Sequence, residues 1–328
     1  MTIKDEFAFI NKIKPKTSHS QHLITGIGDD AALIRPMDEM DQIICMDTMV
    51  EGIHFTKDTM SPNDIGYKAL AVNISDIAAM GGKPLYYLVS IAVPKKWSQN
   101  ELIAIYDGMK ELSDTYKIDL IGGDTVSSPD TLMITVTVLG QIQRGKQLLR
   151  SNARVGDVVF VTGTIGDSAA GLELILNRSR NHSFIENEEY LVRRHQHPTP
   201  RVEIGHALTL LDRVSLNDIS DGLASETNEI AESSKVNLVI DETKLSLSSA
   251  LLHYNKSRAL EWALYGGEDF ELIGTMAPET WGQFENKIHK LGIAITVIGS
   301  VQEGKGEVFL LKNGELIPLE KKGYNHFK

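Results

Sequence analysis

Strand-like and helix-like segments alternate along both halves of the chain. Gln42–Val50 and Leu85–Val93 have the β-branched, weakly charged composition of strands. Between them, the capping residue Ser61 and the proline after it predict a helix that runs to the pair Gly81-Gly82. A capping box formed by Ser98 and Glu101 predicts the start of another helix, and a polar loop is expected between Leu176 and His195. Because such segments bury their apolar sides by packing helices on a sheet, the alternation predicts a layered α/β fold.

Length and one polar segment predict two domains. The chain has 328 residues, which is enough for two domains with cores of their own. The polar stretch Arg144–Asn152 interrupts the alternation of strands and helices. We therefore expect an N-terminal domain over residues 1–148 and a C-terminal α/β domain over residues 149–328.

Composition argues against several classes of partner. The formal net charge of −11 disfavours nucleic acid, which needs clustered positive surface. No apolar run approaches the roughly 18 residues of a membrane span, and the first residues lack the apolar core of a signal peptide. The single cysteine, Cys45, excludes an internal disulfide and a cysteine-based zinc site. These features predict a cytoplasmic protein that binds neither membranes nor nucleic acid.

An acidic turn near the N-terminus predicts a site for a hard cation. Asp29 and Asp30 are adjacent in a glycine-hinged turn, and Asp47 and His54 follow after one extended segment. Adjacent carboxylates repel each other unless a cation satisfies them. Oxygen ligands of this kind suit Mg²⁺ or Ca²⁺ better than zinc. A solvated acidic turn without a ligand is the alternative.

Further aspartates occur beside apolar segments. Asp76 lies three residues after Asn73 in an apolar helix, where a buried, unpaired carboxylate would be costly. We expect Ile118–Gly122 to be a short strand with Asp124 just beyond its end. The segment Asn217–Gly222 follows another strand, and such strand ends carry ligand groups in α/β proteins. A position at a solvent margin is the alternative for Asp76, and helix capping is the alternative for each of the others taken alone.

Other motifs are poor matches to known sites. The Gly26–Ala31 segment fits a dinucleotide fingerprint, but Pro36 follows closely and two aspartates would repel a phosphate. The Gly140–Lys146 segment fits a P-loop only until Gln147, so we expect a hairpin turn there. His195 and His197 could form a metal pair, but we expect them to lie in a surface loop.

Eight segments give the chain a recognisable signature, and it resembles the thiamine-monophosphate kinase family of the aminoimidazole ribonucleotide synthetase-like superfamily. They occur in order over nearly the whole chain, and the last two separate this family from its relatives: GIGDDAAL (26–33), MDTMVEGIHF (46–55), NISDIAAMGGKP (73–84), LIGGDT (120–125), SNARVGD (151–157), NDISDGL (217–223), GGEDFEL (266–272) and GYNHF (323–327).

The resemblance implies a two-domain aminoimidazole ribonucleotide synthetase-like fold and a homodimer in which the N-terminal domains pair their sheets. It implies that ATP lies in a groove between the domains, with the C-terminal domain completing the active site. It also implies binding residues for several Mg²⁺ ions, for ATP and for thiamine phosphate, with Asp124 shared by Mg²⁺ and ATP. By matched position these are Asp30, Asp47, Asp76, Asp124, Asp218 and Asp221 for Mg²⁺; Tyr106, Gly123, Asp124, Arg150 and Ser220 for ATP; and His54, Glu268 and Tyr324 for thiamine phosphate.

The implied reaction is direct, Mg²⁺-assisted in-line transfer from ATP to thiamine monophosphate, which gives thiamine diphosphate. A phosphate acceptor is already ionised at neutral pH, so we expect no covalent nucleophile and no general base. The sequence departs from the family at Cys45-Met46, where hydroxyl residues are usual, and neither sulfur is a good Mg²⁺ ligand. The alternatives are another ATP-dependent synthetase of the superfamily and a non-catalytic nucleotide- and metal-binding protein.

Overall fold

The computed structural model describes residues 6–28, 30–288 and 292–323. The chain divides into two compact units, each with its own sheet. None of the helices within these ranges has the length and apolar character needed to span a bilayer. The N-terminal unit is formed by Met1–Ile77, Gly82–Gly145 and Ser179–Asn181, and the C-terminal unit by Ala78–Gly81, Lys146–Arg178 and His182–Lys328.

A four-stranded sheet with the order β3-β6-β4-β5 organises the N-terminal unit. Only β4 and β5 are parallel neighbours. A separate two-stranded sheet, β1-β2, precedes the larger sheet in the chain. The elements are α1 (Glu6–Ile13), β1 (Leu23–Thr25), β2 (Leu33–Ile34), β3 (Met40–Val50), α2 (Pro62–Ala79), β4 (Lys83–Pro94), α3 (Gln99–Tyr116), β5 (Asp119–Ser128) and β6 (Met133–Gln143).

The two faces of this sheet differ in burial. On one face Val89, Ile134 and Val136 are at most 1% exposed, and the Cys45 thiol reaches the backbone of α2. Helices α2 and α3 cross closely, because a Cβ atom added to Gly66 would lie 1.7 Å from a backbone oxygen of α3. The opposite face of the sheet is open and carries exposed apolar side chains.

A seven-stranded sheet with the order β13-β12-β9-β11-β7-β10-β8 organises the C-terminal unit. Its pairs are antiparallel except β9 with β12. The elements are β7 (Val158–Thr162), α4 (Asp167–Arg178), α5 (Glu186–Gln196), α6 (Val202–Leu208), β8 (Val214–Asp218), α7 (Leu223–Ser234), β9 (Asn237–Asp241), α8 (Ser249–Asn255), α9 (Ala259–Tyr265), β10 (Leu272–Met276), α10 (Pro278–Ile288), β11 (Ile295–Gln302), β12 (Val308–Lys312) and β13 (Glu315–Pro318), with short 3-10 helices at Arg150–Asn152 and Glu242–Lys244.

Both faces of the C-terminal sheet are covered. Val159 and Val161 of β7 pack in one apolar cluster with Ile230 of α7. Phe160, between them, points to the other face and packs in a second cluster with Leu208 of α6 and Phe284 of α10. Side chains alternate across a strand, so a strand covered on both faces is apolar at successive positions, as residues 158–161 of β7 are.

The layered α/β class and the Ser98–Glu101 capping box at the start of α3 are confirmed. Two local predictions were wrong. Residues 177–194, expected to be a polar loop, contain most of α5, whose apolar residues Leu191 and Val192 are buried. Strand β5 does not end at Gly122 but continues to Ser128, so Asp124 lies inside it. Pairing with β4 along the whole segment stabilises this longer strand.

Candidate functional site

Strand β3 and helix α2 bring two predicted metal ligands together. The Asp47 carboxylate lies against that of Asp76, and Cys45 lies beside both. Burial raises the pKa of Asp47, although the Asp76 contact and nearby His54 oppose this shift. Two carboxylates in contact need a proton or a cation between them, and this pair therefore fits a divalent cation of oxygen preference.

Cys45 is a neutral thiol in this structure. Its Sγ donates a hydrogen bond to the backbone oxygen of Asn73, at 3.2 Å. Burial, and then the charges of Asp76 and Asp47, raise the pKa of the thiol far above its ordinary value. Met46 points to the open face of the sheet and is 64% exposed. Neither sulfur therefore offers a charged ligand to a metal at Asp47 and Asp76.

His54 is fixed by its own turn. Its Nδ1 accepts the backbone N–H of Val50 at 3.0 Å, and its backbone N–H donates to the oxygen of the same residue at 2.9 Å. An Nδ1 atom that accepts carries no hydrogen, so the neutral ring has its hydrogen on Nε2. His54 therefore presents an N–H donor near Asp47, which suits an anionic oxygen.

The remaining predicted residues of the N-terminal unit are dispersed. Asp124 is level with Ser90, Thr135 and Thr48 across the sheet, on its open face, whereas Asp47 lies on the covered face. Asp30 is exposed in its turn, and Asp29 lies outside the described residues. Over residues 6–28, 30–288 and 292–323, no three His, Cys, Asp or Glu side chains form a group that could hold a metal ion.

Two predicted ATP contacts of this unit have distinct surroundings. Gly123 is required by close packing, because a Cβ atom there would lie 2.0 Å from the backbone oxygen of Val89. Tyr106 is 7% exposed and packs edge-on against Phe9, with ring centroids 5.9 Å apart. Burial raises the pKa of the Tyr106 hydroxyl, so this group is neutral.

In the C-terminal unit, an acidic cluster forms where β8 meets α7. Asp218 and Asp221 were predicted from their motif, but the buried Glu226 was not. Burial, followed by the charges of Asp218 and Glu229, raises the pKa of Glu226 to about 8. In the sequence, the local sign of a role for Glu226 is its place in the first turn of α7. An acid at that position is explained equally well by its favourable interaction with the start of the helix.

The GGEDFEL segment pairs with the NDISDGL segment through backbone hydrogen bonds. Glu268 N–H donates to the oxygen of Ser220 at 2.7 Å, and Phe270 N–H donates to that of Ile219 at 2.9 Å. Glu268 has a φ of +67°, an uncommon conformation for a residue with a side chain. The two segments therefore hold the predicted contacts Ser220 and Glu268 side by side.

His195 is not in a surface loop as predicted. It lies in the last turn of α5, is 1% exposed, and has its Nδ1 3.1 Å from Ser168 Oγ. The same Nδ1 lies 3.5 Å from Glu268 Oε2, so His195 supports a predicted substrate contact. His197 caps the helix through its backbone N–H.

A buried ionic network surrounds Glu271, three residues after Glu268 in the sequence. Glu271 is fully buried and accepts from Arg194, Arg201 and Thr162 at 2.8, 2.6 and 2.6 Å. Burial raises the pKa of Glu271, but Arg201 and Arg194 outweigh burial and hold it below its ordinary value. The network anchors the strand that follows the GGEDFEL segment.

Comparisons with known proteins agree with this architecture. The model of the AIR synthase related protein N-terminal domain matches residues 28–142, and that of the C-terminal domain matches residues 154–312. A thiamine-monophosphate kinase of Bacillus subtilis (strain 168) is 52% identical over 99% of this chain and 100% of its own length.

Two solved structures are similar over nearly the whole chain. Thiamine-monophosphate kinase from Stenotrophomonas maltophilia K279a has a TM-score of 0.87 and 36% identity, covering 95% of this chain and 98% of that one. AaThiL complexed with AMPPCP and TMP has a TM-score of 0.79 and 35% identity, covering 98% of this chain and 97% of that one.

Tyr324, predicted from the closing segment, lies outside the described residues.

Proposed function

The chain belongs to the thiamine-monophosphate kinase family of enzymes, and from this membership we propose that it transfers the γ-phosphoryl group of ATP to thiamine monophosphate. The observation that carries the proposal is the whole-length likeness to AaThiL, which was solved with AMPPCP and TMP. AMPPCP resembles ATP but has carbon in place of the bridging β–γ oxygen. The product would be thiamine diphosphate.

Mg²⁺ is the cofactor that the acidic residues fit. Asp47 and Asp76 touch, and both substrates are anions that such carboxylates would repel. We propose that these two residues, with Asp30, Asp124, Asp218 and Asp221, hold several Mg²⁺ ions. Bound Mg²⁺ would neutralise phosphate charge and stabilise the transition state of transfer.

His54 and Glu268 suit opposite ends of thiamine monophosphate. The Nε2–H of His54 is a neutral donor for a phosphate oxygen, which it would orient without accepting a proton from it. Glu268 carries an acid that suits the cationic thiazolium ring, and Tyr324 would add an aromatic face. Buried His195, 3.5 Å from Glu268, would keep that carboxylate in place.

We propose that transfer is direct and in line. The acceptor phosphate is already an anionic oxygen nucleophile, so the reaction needs no enzyme nucleophile. Incubation with γ-labelled ATP and Mg²⁺ alone should leave the protein without label. A stable phosphoryl group on the protein would overturn direct transfer while leaving the choice of substrate intact.

The open face of the N-terminal sheet supports a homodimer. Ile44, Met46, Val126 and Met133 lie on this face and are 66%, 64%, 46% and 42% exposed. Several large apolar side chains exposed on one face of a sheet are typical of an interaction surface. We propose that a second copy of the chain covers them.

Sedimentation experiments would test this proposal. Ile44→Lys should give monomers, whereas Leu316→Lys, at an exposed position of β13, should not. A monomeric wild type would overturn the proposal.

Acceptor selection tests the proposed substrate. Initial rates of ADP release should be high with thiamine monophosphate and at background with thiamine, which lacks the ionised phosphate. Equal rates with both acceptors, or ADP release that no acceptor stimulates, would show that the substrate is wrong. The alternative of another ATP-dependent synthetase predicts the latter result.

A further inference from the structure

A chain of hydrogen bonds connects two predicted ATP contacts of the C-terminal unit. Arg150 Nε donates to Asn217 Oδ1 at 3.0 Å, and Asn217 Nδ2 donates to Glu226 Oε2. The other carboxylate oxygen of Glu226 accepts the N–H of Asp221 at 3.1 Å and the hydroxyl of Ser220 at 3.3 Å. Asn217 and Glu226 thus link Arg150 to the Ser220-Asp221 backbone.

Both linking residues are built into the core of the unit. Asn217 and Glu226 are 2% and 3% exposed. Arg150 has further anchors, because its backbone oxygen accepts from Ser215 and Ser234 and its NH1 lies 3.0 Å from Glu229. A buried network in which every member has a partner fixes its groups in one arrangement.

We propose that Asn217 and Glu226 are positioning residues for nucleotide binding, which hold Arg150, Ser220 and Asp221 in register with one another. The inference rests on the proposed function, because that function makes these three residues nucleotide and metal contacts. Neither linking residue needs to touch the nucleotide. Their effect would be to supply a preorganised set of contacts, so ordering costs less when the nucleotide binds.

The chemistry of the pair makes the proposal specific. Both oxygens of Glu226 accept hydrogen bonds, whereas Glu226→Gln offers one oxygen and one NH₂ group, so either Asn217 Nδ2 or the Asp221 N–H would face that NH₂ group. Asn217→Asp keeps the acceptor for Arg150 but replaces the NH₂ group that donates to Glu226 with a second acceptor oxygen. Making both changes together restores the bond between the two residues, because the introduced glutamine would donate through its Nε2 to the introduced aspartate while its oxygen accepts the N–H of Asp221. The 3.5 Å contact of Asn217 Nδ2 with Glu229 Oε2 is lost in this variant.

The test compares the two single variants with the exchanged double variant. We expect Glu226→Gln and Asn217→Asp to weaken binding of AMPPCP with Mg²⁺, measured by calorimetry, about ten- to a hundredfold. The variant with both changes should regain most of this affinity. KM for ATP should follow the same order, while KM for thiamine monophosphate stays within about twofold. Glu232→Gln, at an exposed position of the same helix, is the matched control.

Thermal unfolding of each variant would show that the protein is folded under the conditions of the binding assay, so that a loss of binding is not a loss of fold. Single variants that bind AMPPCP as wild type does, or a double variant no better than either single variant, would overturn the proposal. If the wild type binds AMPPCP but makes no thiamine diphosphate, the proposed function fails, and the binding comparison still decides whether the pair positions the nucleotide contacts.

Discussion

At the scale of single residues, replacing Asp76 should affect stability and catalysis differently. Its carboxylate touches that of Asp47, and two carboxylates in contact need a proton between them when no cation is bound, a need that an amide N–H donor at position 76 would remove. Asp76→Asn should therefore keep or raise the unfolding midpoint in EDTA. The same change should lower Mg²⁺-dependent turnover by about a hundredfold or more. Wild-type turnover at limiting Mg²⁺ would show that Asp76 is not a ligand.

Cys45 gives a second prediction at this scale. The thiol donates to the backbone oxygen of Asn73, and a serine hydroxyl can make the same hydrogen bond. We expect Cys45→Ser to change kcat by no more than about threefold, because a neutral thiol is a poor ligand for Mg²⁺. Steady-state kinetics over a range of Mg²⁺ concentrations would measure this. A large loss of activity would mean that the thiol itself has a role.

At the scale of elements, the ionic network that anchors β10 should dominate stability. Glu271 is fully buried between Arg194 and Arg201, so its neutralisation leaves two guanidinium groups without their shared carboxylate. Glu271→Gln should lower the free energy of unfolding by about 3–5 kcal/mol, as measured in urea. Glu39→Gln, which removes the exposed pair with Arg144, should change stability little. Similar small losses in both variants would contradict this account.

The carboxyl group bound at the start of helix α4 gives a prediction about the pH dependence of stability. Asp269 accepts the N–H groups of Gly166 and Ser168 at 2.6 and 3.1 Å, yet burial, aided by Asp167, raises its pKa to about 7. An unfolded Asp titrates near pH 3.9, so between about pH 4 and 7 the folded protein holds a proton that the unfolded chain has released. Asp269 therefore contributes less stability as pH rises through this window.

Asp269→Asn removes the titrating group, so it tests whether the contribution of Asp269 to stability falls as pH rises. The stability of wild type relative to this variant should fall from about pH 4 to about pH 7 and then stay constant. Chemical unfolding at several pH values would measure the difference. A pH-independent difference would show that the carboxyl is ionised throughout, with the two N–H donors outweighing burial.

Local sequence patterns predicted the elements better than the contacts between them. The capping box at Ser98 and Glu101 depends on residues three apart, so the start of α3 was predictable. The face on which Asp124 lies depends on pairing with β4, which no local pattern reveals. For the same reason His195 was expected in a surface loop and Glu226 was missed, since their partners Glu268 and Asn217 are distant in sequence or belong to another element.

At the scale of the whole molecule, the motifs carry more information about function than the pattern of elements does. Strand and helix alternation predicts only a layered fold, which many functions share. The ordered set of short motifs predicted the thiamine-monophosphate kinase family, and whole-length relatives confirm this prediction. The roles of residues 1–148 and 149–328, the cytoplasmic location and the individual site residues stay predictions.

The fate of the γ-phosphoryl group tests the central claim most directly. Purified protein would be incubated with Mg²⁺, γ-labelled ATP and thiamine monophosphate, and the products separated and identified by mass. We predict that all transferred label is in the terminal phosphate of thiamine diphosphate, in a one-to-one ratio with ADP. Label found as inorganic phosphate or on the protein, with no labelled thiamine diphosphate formed, would contradict the account.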